Sequence, residues 1–426
     1  MKKWLLLFLI SASIASSVLY ADVKTTGISS NPAAVNVTAG TGDFESFLLK
    51  KLNIQNDHGI RFTGAWLGDT NGLITGGIAN PQRWTSNSLF LFDLTIDTKK
   101  LGLWSGGLLG TQILQFNGQD TNAQAGTVQG YNSLPGAPPL NRFELYQLWY
   151  RQALFNDKFF VRIGKQVPTY DFDNVIKPVV LSKSQIEIPS VSGLIFTPLF
   201  VNTSMLGVMP GYYNSAYGAT LNFAPVKNWY ASYGIYDGNL ASGTQTGLTA
   251  PNFNGTYFDI GETGFDWLIG KNALPGNVGV GVWNQSGLTE FANLSENNSV
   301  GEYLFGSQRL WYRNPGQNDS GVSLFYQFGT NDSHVLAMQT YVGGGFTAFG
   351  LIAHRPDDSM GVGAALSWLN QNIYTQQTEL MFQAYYQLKV VKDIFAEPVL
   401  SYIPHPAGGL NIDPTWAGTL RIVALF

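Results

Sequence analysis

Hydrophobic and polar residues alternate along most of the chain from residue 58 onward. Segment 60–66 is an example, with Ile60, Phe62 and Trp66 on one face and Arg61 and Thr63 on the other. Because successive side chains of a strand point to opposite faces, this period of two predicts a β-strand with one apolar and one polar face. The pattern recurs in segments 89–97, 146–151, 159–164, 219–223, 262–269 and 379–386. Pairing such segments predicts an all-β chain of about sixteen strands.

The C-terminal segment indicates where these strands lie. Counting back by twos from Phe426 gives an uncharged face that includes Leu420 and Trp416, whereas Arg421 lies on the other face. After the N-terminal segment, no run of 18 or more apolar residues occurs. Spanning helices are thereby excluded, and a closed β-barrel is the remaining structure that can cross a membrane. A final strand that is apolar outward and ends in Phe is typical of a bacterial outer-membrane barrel.

The connections between strands fall into two groups. Short turn sequences at 224–228, 272–276, 314–319 and 355–358 are assigned to the periplasmic side. Longer connections at 117–141, 168–213, 239–254 and 287–302 are assigned to the outside, because such barrels have longer external loops. Segment 168–213 is rich in proline and in large apolar residues such as Phe196 and Phe200. We therefore predict that this loop folds into the barrel and narrows it.

Composition excludes several classes of protein. The 426 residues are 12% charged and 14% aromatic, include 48 Gly and no Cys, and carry a net charge of -4. A soluble domain has about a quarter of its residues charged. The absence of cysteine excludes disulfides and thiol chemistry, and the negative charge argues against a nucleic-acid partner.

The N-terminal region is predicted to be an export signal. Residues 1–21 combine a basic start, an apolar run from Trp4 to Ile10 and a small-residue stretch, with cleavage after Ala21 or, alternatively, after Ser17. A permanent anchor is the other interpretation, but the apolar run is short for a spanning helix. Residues 22–57 are predicted to be a periplasmic segment with a short helix at 43–52, and residues 58–426 are predicted to form the barrel.

Several stretches resemble one family, the carbohydrate-selective (OprB-type) porins. These are 379–386, 397–409 and 415–426, which look like that family's closing strands and its Pro-x-Gly-Gly loop, together with 97–107, 146–152 and 162–173. Gln147 and Gln166 depart from the family's usual pattern. The resemblance implies a sixteen-stranded outer-membrane channel, a homotrimer, that passes sugars by facilitated diffusion. The preference for sugars rests on this resemblance alone.

A sugar channel needs aromatic faces and fixed hydrogen-bonding groups. Trp149 lies between Gln147 and Arg151 on the presumed inner face, and Arg162 is on the next strand, so these four are predicted to line the pore. The alternative places Trp149 in an aromatic girdle facing lipid. Arg61, Arg83, Trp84 and Asp93 form a second candidate cluster. Asp171 and Asp173 could supply acceptors at a constriction or could merely cap a turn. Four more charged residues are predicted to face inward by alternation: Glu262, Asp266, Glu379 and Arg421.

Catalytic chemistry has little support in the sequence. The four histidines show no metal-ligand spacing, and neither a nucleophile elbow nor a phosphate-binding glycine loop occurs. Ser333 beside His334 is the nearest candidate for a catalytic pair. We therefore predict a passive channel for mono- or oligosaccharides, with no cofactor, no metal and no energy coupling. The alternatives are a general or anion-selective porin and, from another class, a barrel enzyme or an adhesin.

Overall fold

The computed structural model describes residues 59–425 apart from 133, 135–139, 174, 176–201, 211–213, 227, 239–249, 252, 254, 292, 319 and 392. The predicted signal peptide, the predicted segment 22–57 with its helix, and Phe426 lie outside the described residues. Sixteen strands follow one another along these described residues. Their bounds are β1 Ile60–Thr75, β2 Trp84–Asp97, β3 Gly107–Asn117, β4 Asn141–Leu154, β5 Phe159–Gln166, β6 Ala216–Val226, β7 Trp229–Asp237, β8 Tyr257–Ile269, β9 Leu274–Phe291, β10 Leu294–Tyr312, β11 Gly321–Asn331, β12 Met338–Phe349, β13 Ser359–Leu369, β14 Thr378–Val391, β15 Ile394–Ile403 and β16 Thr415–Leu425.

The strands form one closed antiparallel barrel. Each strand pairs with the next along the chain, and β1 pairs with β16, where Asp69 lies opposite Arg421. Closure gives every strand two neighbours, so no sheet edge is left to pair with another chain or to face lipid unpaired. The all-β fold and the strand count of sixteen are confirmed.

The two faces of each strand differ as the alternation predicts. Outward-facing apolar residues such as Trp66, Leu420 and Phe346 are exposed, whereas inward-facing polar residues such as Gln112 and Glu379 are buried. An apolar outer band around a polar interior is the arrangement that a lipid bilayer requires of a barrel. Aromatic pairs lie at both ends of this band. Tyr402 stacks on Trp416 at one end, and the Trp104 indole N–H donates a hydrogen bond to the Tyr150 hydroxyl at the other.

The connections lie largely where the sequence places them. All four predicted periplasmic turns follow even-numbered strands, so they share one end of the barrel. The connections 117–141, 168–213 and 239–254 follow odd-numbered strands and share the other end. The prediction of a long loop at 287–302 was wrong, because β9 extends to Phe291 and β10 begins at Leu294. The turn is tight because Asn293 adopts a left-handed conformation with φ of 67°, which asparagine tolerates.

A β-bulge changes the alternation in β4. Gln112 pairs with Gln147, but the next residue, Ile113, pairs with Leu145, so Tyr146 is an extra residue. Tyr146 is consequently buried inside the barrel, whereas simple alternation places it on the outer face with Leu148. A bulge of this kind reverses which alternate residues face inward on either side of it.

Candidate functional site in the barrel interior

Two external loops fold into the barrel. The first is the β3–β4 loop, residues 118–140, which begins with the helix α1, Thr121–Ala125. Beyond α1, the Asn132 side chain donates to Asp69 and Asn71 of β1, both at 2.8 Å. Gln383 of β14 donates to the Tyr131 carbonyl at 3.1 Å. The sequence predicts a loop on the outside here, and its inward course was not predicted.

The second infolded segment is the β5–β6 loop, residues 167–215, of which 167–173, 175, 202–210, 214 and 215 are described. Phe172, Met205 and Met209 are buried in one apolar cluster with side chains of the inner wall. That wall is aromatic and is formed by residues of β7 to β12: Tyr236, Phe258, Trp283, Tyr303, Phe305, Phe325 and Tyr341. The described residues of this loop therefore lie inside the barrel as predicted, whereas Phe196 and Phe200 lie outside the described residues.

The two loops meet at Ser367 on the inner face of β13. The Ser367 hydroxyl donates to the Gln129 side chain of the β3–β4 loop at 2.8 Å. It also shares a hydrogen bond of 2.8 Å with the Thr203 hydroxyl of the β5–β6 loop. The loops thus converge on one point of the wall and narrow the barrel together.

Trp149 faces the interior beside two arginines. The guanidinium carbon of Arg162 lies 5.5 Å from the centre of the Trp149 ring, a cation–π geometry. Arg151 lies directly opposite Arg162 in the strand register, and its guanidinium carbon is 4.4 Å from the Phe160 ring centre. Gly110 of β3 makes room for the indole, because a Cβ there would lie 2.2 Å from the Trp149 ring. Trp149 is therefore not part of an outer girdle.

Polar contacts tie this group to the start of the β5–β6 loop. Arg162 forms an ion pair with Asp171 and donates from Nε to Gln166 at 2.5 Å. Two residues further on, the Asp173 backbone N–H donates to the Glu262 carboxylate at 2.7 Å. The hydroxyls of Tyr230 and Tyr303 also donate to Glu262, at 2.7 and 2.9 Å. The Asp171 carboxylate thus does more than cap a turn, since it fixes the loop to β5, whereas residue 173 attaches the loop to β8 through its backbone N–H.

A polar ladder continues from Gln147 across two strands. The Gln147 side chain donates to Gln112 at 2.8 Å, and Gln112 donates to Asp93 at 2.7 Å. Asp266 also shares the inward face, and it lies toward the periplasmic end of β8. Gln147, Gln112 and Asp93 thus extend a row of fixed donors and acceptors away from Trp149.

The predicted cluster of Arg61, Arg83, Trp84 and Asp93 is wrong as a cluster. Arg61 lies near the periplasmic end of β1, and Trp84 lies opposite Gly72 near the external end. Eleven residues of strand separate these levels, about 36 Å at ~3.3 Å per residue. Trp84 shares the outer face and is 68% exposed, and Arg83 is exposed in the preceding turn, where it donates to the Gly76 carbonyl at 3.0 Å. The alternation fails to resolve these positions because it gives the face of a residue and not its height.

Arg421 belongs to a charged row that the sequence revealed only in part. Its Nε and Nη2 donate to the two oxygens of Asp69 at 2.7 and 2.8 Å. On its other side, Arg421 lies opposite Glu397 of β15, which is fully buried. Neither Asp69 nor Glu397 was among the predicted residues. Each lies directly opposite Arg421 in the strand register and therefore shares its inward face. Glu379, which was predicted, is enclosed by the β3–β4 loop.

The Ser333 hydroxyl, the candidate nucleophile of the enzyme interpretation, is engaged in hydrogen bonds within a turn. The Ser333 hydroxyl donates to Glu296 and accepts the backbone N–H groups of Val335 and Leu336 at 3.1 and 2.9 Å. This is a turn-capping arrangement that occupies the hydroxyl.

Among the described residues, no three potential metal-ligating side chains lie together. In the same part of the chain, no helix is both long and apolar enough to cross a bilayer.

A closed sixteen-stranded barrel with loops folded into its interior defines the class of porins, and comparison with known proteins narrows the class. The sequence profile of the carbohydrate-selective porins, the OprB family, matches residues 86–426. The chain belongs to this family and is a β-barrel channel of the bacterial outer membrane that passes sugars.

Individual relatives are distant in sequence. Porin B of Pseudomonas aeruginosa is 21% identical over 427 residues, which cover 87% of this chain and 88% of that protein. A high-pH structure of Pseudomonas putida OprB has a TM-score of 0.76 at 18% identity, covering 91% of this chain and 98% of that chain. An anion-selective porin from Comamonas acidovorans has a TM-score of 0.52 at 12% identity, covering 86% and 99%. The solved structures establish the common barrel fold.

Proposed function

We propose that this porin selects sugars at a constriction beside Trp149, where mono- or oligosaccharides diffuse passively through the barrel. Support comes from the Trp149 ring, which faces inward with the Arg162 guanidinium beside it. An aromatic face covers the apolar side of a pyranose ring, and neighbouring donors and acceptors replace the water bound to its hydroxyls. Conduction requires such contacts to be weak and repeated, so that the solute enters without being trapped.

The proposed lining follows the inward-facing groups around that ring. It comprises Asp93, Gln147, Trp149, Arg151, Arg162, Asp171, Asp173 and Glu262, with Arg61 and Asp266 toward the periplasmic end. We leave out Arg83 and Trp84 because they lie at the external rim. We assign Glu379 and Arg421 to holding the wall and its loops, because they belong to other parts of the wall: Glu379 is bound by the β3–β4 loop, and Arg421 pairs with Asp69 of β1.

The rival function is a general or anion-selective porin. The inner wall carries several arginines, which would attract anions, but carboxylates accompany them: Asp171 pairs with Arg162, and Asp69 pairs with Arg421. Neutralised pairs of this kind present hydrogen-bonding groups without a large net field, which suits a neutral polyhydroxy solute. This pairing favours the sugar over the anion.

The test is single-channel conductance of the refolded protein in a planar bilayer, titrated with glucose and maltose. We expect saturable block of the ion current, weakened about two- to tenfold in Trp149→Ala, since a ring contact contributes on the order of 0.5–1.5 kcal/mol. Trp84→Ala is the matched control and should retain the block. A current that no sugar blocks, or block that is unaffected by Trp149→Ala, would contradict the proposed site.

We also propose that the chain is a channel without hydrolytic activity, and that it assembles as a homotrimer. The first proposal is supported by the family and by the occupied Ser333 hydroxyl. A recess on the outer face of β1 to β3, lined by Gly68, Thr70, Ser86 and Ser88, offers small side chains for close contact with a second copy. Light scattering of the detergent-solubilised protein should give three chains, and a monomer mass would contradict the trimer.

A further inference from the structure

Glu379 of β14 accepts hydrogen bonds from two external loops. Its carboxylate is fully buried on the inner wall. It accepts hydrogen bonds from the Thr127 hydroxyl at 2.6 Å, the Val128 N–H at 3.1 Å and the Gln129 N–H at 2.9 Å. Three consecutive residues of the β3–β4 loop therefore wrap one carboxylate that is some 250 positions distant in the chain. Successive N–H groups that converge in this way form an anion-binding concavity.

The same carboxylate also holds a second external connection, the β15–β16 loop at 404–414. The Ala407 N–H donates to Glu379 at 2.8 Å. The adjacent Gly408 N–H donates to the Gly126 carbonyl of the β3–β4 loop, also at 2.8 Å. Glu379 is thus the point where the two loops and the barrel wall join.

The position of Glu379 determines where the β3–β4 loop crosses the interior. Gln129, whose N–H is bound by Glu379, is the residue that reaches Ser367, where the β5–β6 loop also attaches. Tyr131 and Asn132 follow within three residues and contact Gln383 and Asp69. A shift of the loop at Glu379 would therefore move each of these contacts and change the width of the constriction.

We propose that Glu379 is a positioning residue for selectivity: it fixes the β3–β4 loop across the barrel, so that sugar discrimination depends on a carboxylate that no sugar touches. The carboxylate is required because it is an acceptor at both oxygens. An amide has one acceptor oxygen, and its NH₂ group would face the N–H donors that now bind the carboxylate. The proposal rests on the sugar-selective function proposed above.

The test compares Glu379→Gln, Glu379→Asp and Thr127→Val with the wild type in planar bilayers and in liposomes. In Glu379→Gln we expect a larger and noisier single-channel current, and maltose block weakened about tenfold, equivalent to ~1.4 kcal/mol. Longer maltooligosaccharides should enter liposomes faster relative to maltose. Glu379→Asp keeps the charge and should recover part of the block, whereas the exposed Glu290→Gln is the control and should behave as the wild type.

The outcomes distinguish the positioning role of Glu379 from the sugar-selective function proposed above. Normal heat-dependent mobility on gels will establish that the variant barrels are folded. If Glu379→Gln does not fold, Thr127→Val decides, because it removes one donor from the loop and leaves the carboxylate buried; we expect about threefold weaker block. Wild-type current, size discrimination and block in the folded variants would overturn the positioning role. Absence of sugar block in the wild type would instead overturn the proposed function, while the changes in current and size discrimination would still test Glu379.

Discussion

The two infolded loops are attached to the barrel by different chemistry. The β3–β4 loop binds mainly through hydrogen bonds to polar residues of β1, β13 and β14, with Glu379 and Asp69 as charged acceptors. The described body of the β5–β6 loop instead packs Phe172, Met205 and Met209 against the aromatic wall of β7 to β12. The β5–β6 loop therefore adds extensive apolar packing to its polar contacts, whereas the β3–β4 loop relies more on hydrogen bonds and adds only Ala125 and Tyr131 to the same apolar cluster.

This difference has consequences for stability and for selectivity. Apolar packing is non-directional and tolerates small shifts, whereas hydrogen bonds fix distances and angles. We therefore expect the β5–β6 loop to contribute more to stability, and the β3–β4 loop to contribute more to the exact geometry of the constriction. The following substitutions test that division.

The largest expected effect on stability is that of Phe172→Ala. Phe172 is fully buried between the β5–β6 loop and the wall. Removing its ring should lower the free energy of unfolding by about 3–5 kcal/mol, through lost burial and the cavity that remains. Urea unfolding in detergent micelles measures this change. Phe253→Ala, at a 47% exposed position, is the control. Equal unfolding curves for wild type and Phe172→Ala would contradict apolar attachment.

A smaller effect is expected for Asn132→Ala in the β3–β4 loop. The substitution removes three buried hydrogen bonds, two donated to Asp69 and Asn71 and one accepted from the Leu134 N–H. We expect a loss of about 1–3 kcal/mol in the free energy of unfolding. A clear weakening of maltose block should accompany it, because the loop loses its fixed position. The exposed Asn298→Ala should change neither quantity. If block is retained while stability falls, hydrogen bonds in this loop do not set the constriction.

The smallest effect is expected at a polar contact outside the interior. In the periplasmic turn between β12 and β13, burial alone would raise the pKa of Asp358, but hydrogen bonds from Arg355, Tyr386 and the Lys389 N–H lower it below its ordinary value. A lowered pKa means that the native state favours the ionised carboxyl, so its contribution is present above the ordinary aspartate pKa and is lost as the pH falls through the lowered value.

Asp358→Asn should therefore lower the melting temperature slightly at pH 7. The difference from wild type should shrink as the pH is lowered below about 4. Thermal melts over a pH series measure both curves. A difference that stays constant with pH would show that the ionised form of Asp358 is not what stabilises this turn.

The barrel and much of its inner wall could be predicted from the sequence. The alternation of apolar and polar residues, with Arg421 on the inward face of β16, follows from the requirement that one face meet lipid. The β5–β6 loop was predicted to fold inward because its apolar residues would otherwise be exposed. The grouping of Trp149, Arg151 and Arg162 was predicted because adjacent strands turn them to one face.

The polar attachment of the β3–β4 loop was not predicted. A polar loop that binds a wall has the same composition as a loop in water, and its donors are backbone groups that the sequence does not distinguish. The partners of Glu379 lie about 250 residues away, so local patterns cannot join them. The bulge at Tyr146 and the height of Trp84 were missed for a related reason, because a period of two gives neither register nor depth.

The most direct measurement of the central claim compares entry of maltose and of an uncharged polyethylene glycol with the same hydrodynamic radius into liposomes that contain the protein. A sugar-selective constriction predicts faster entry of maltose, with a rate that saturates as maltose is raised. Equal and unsaturable rates for the two solutes would mean that the barrel sorts by size alone, and would contradict selection of sugars by the inward-facing groups around Trp149.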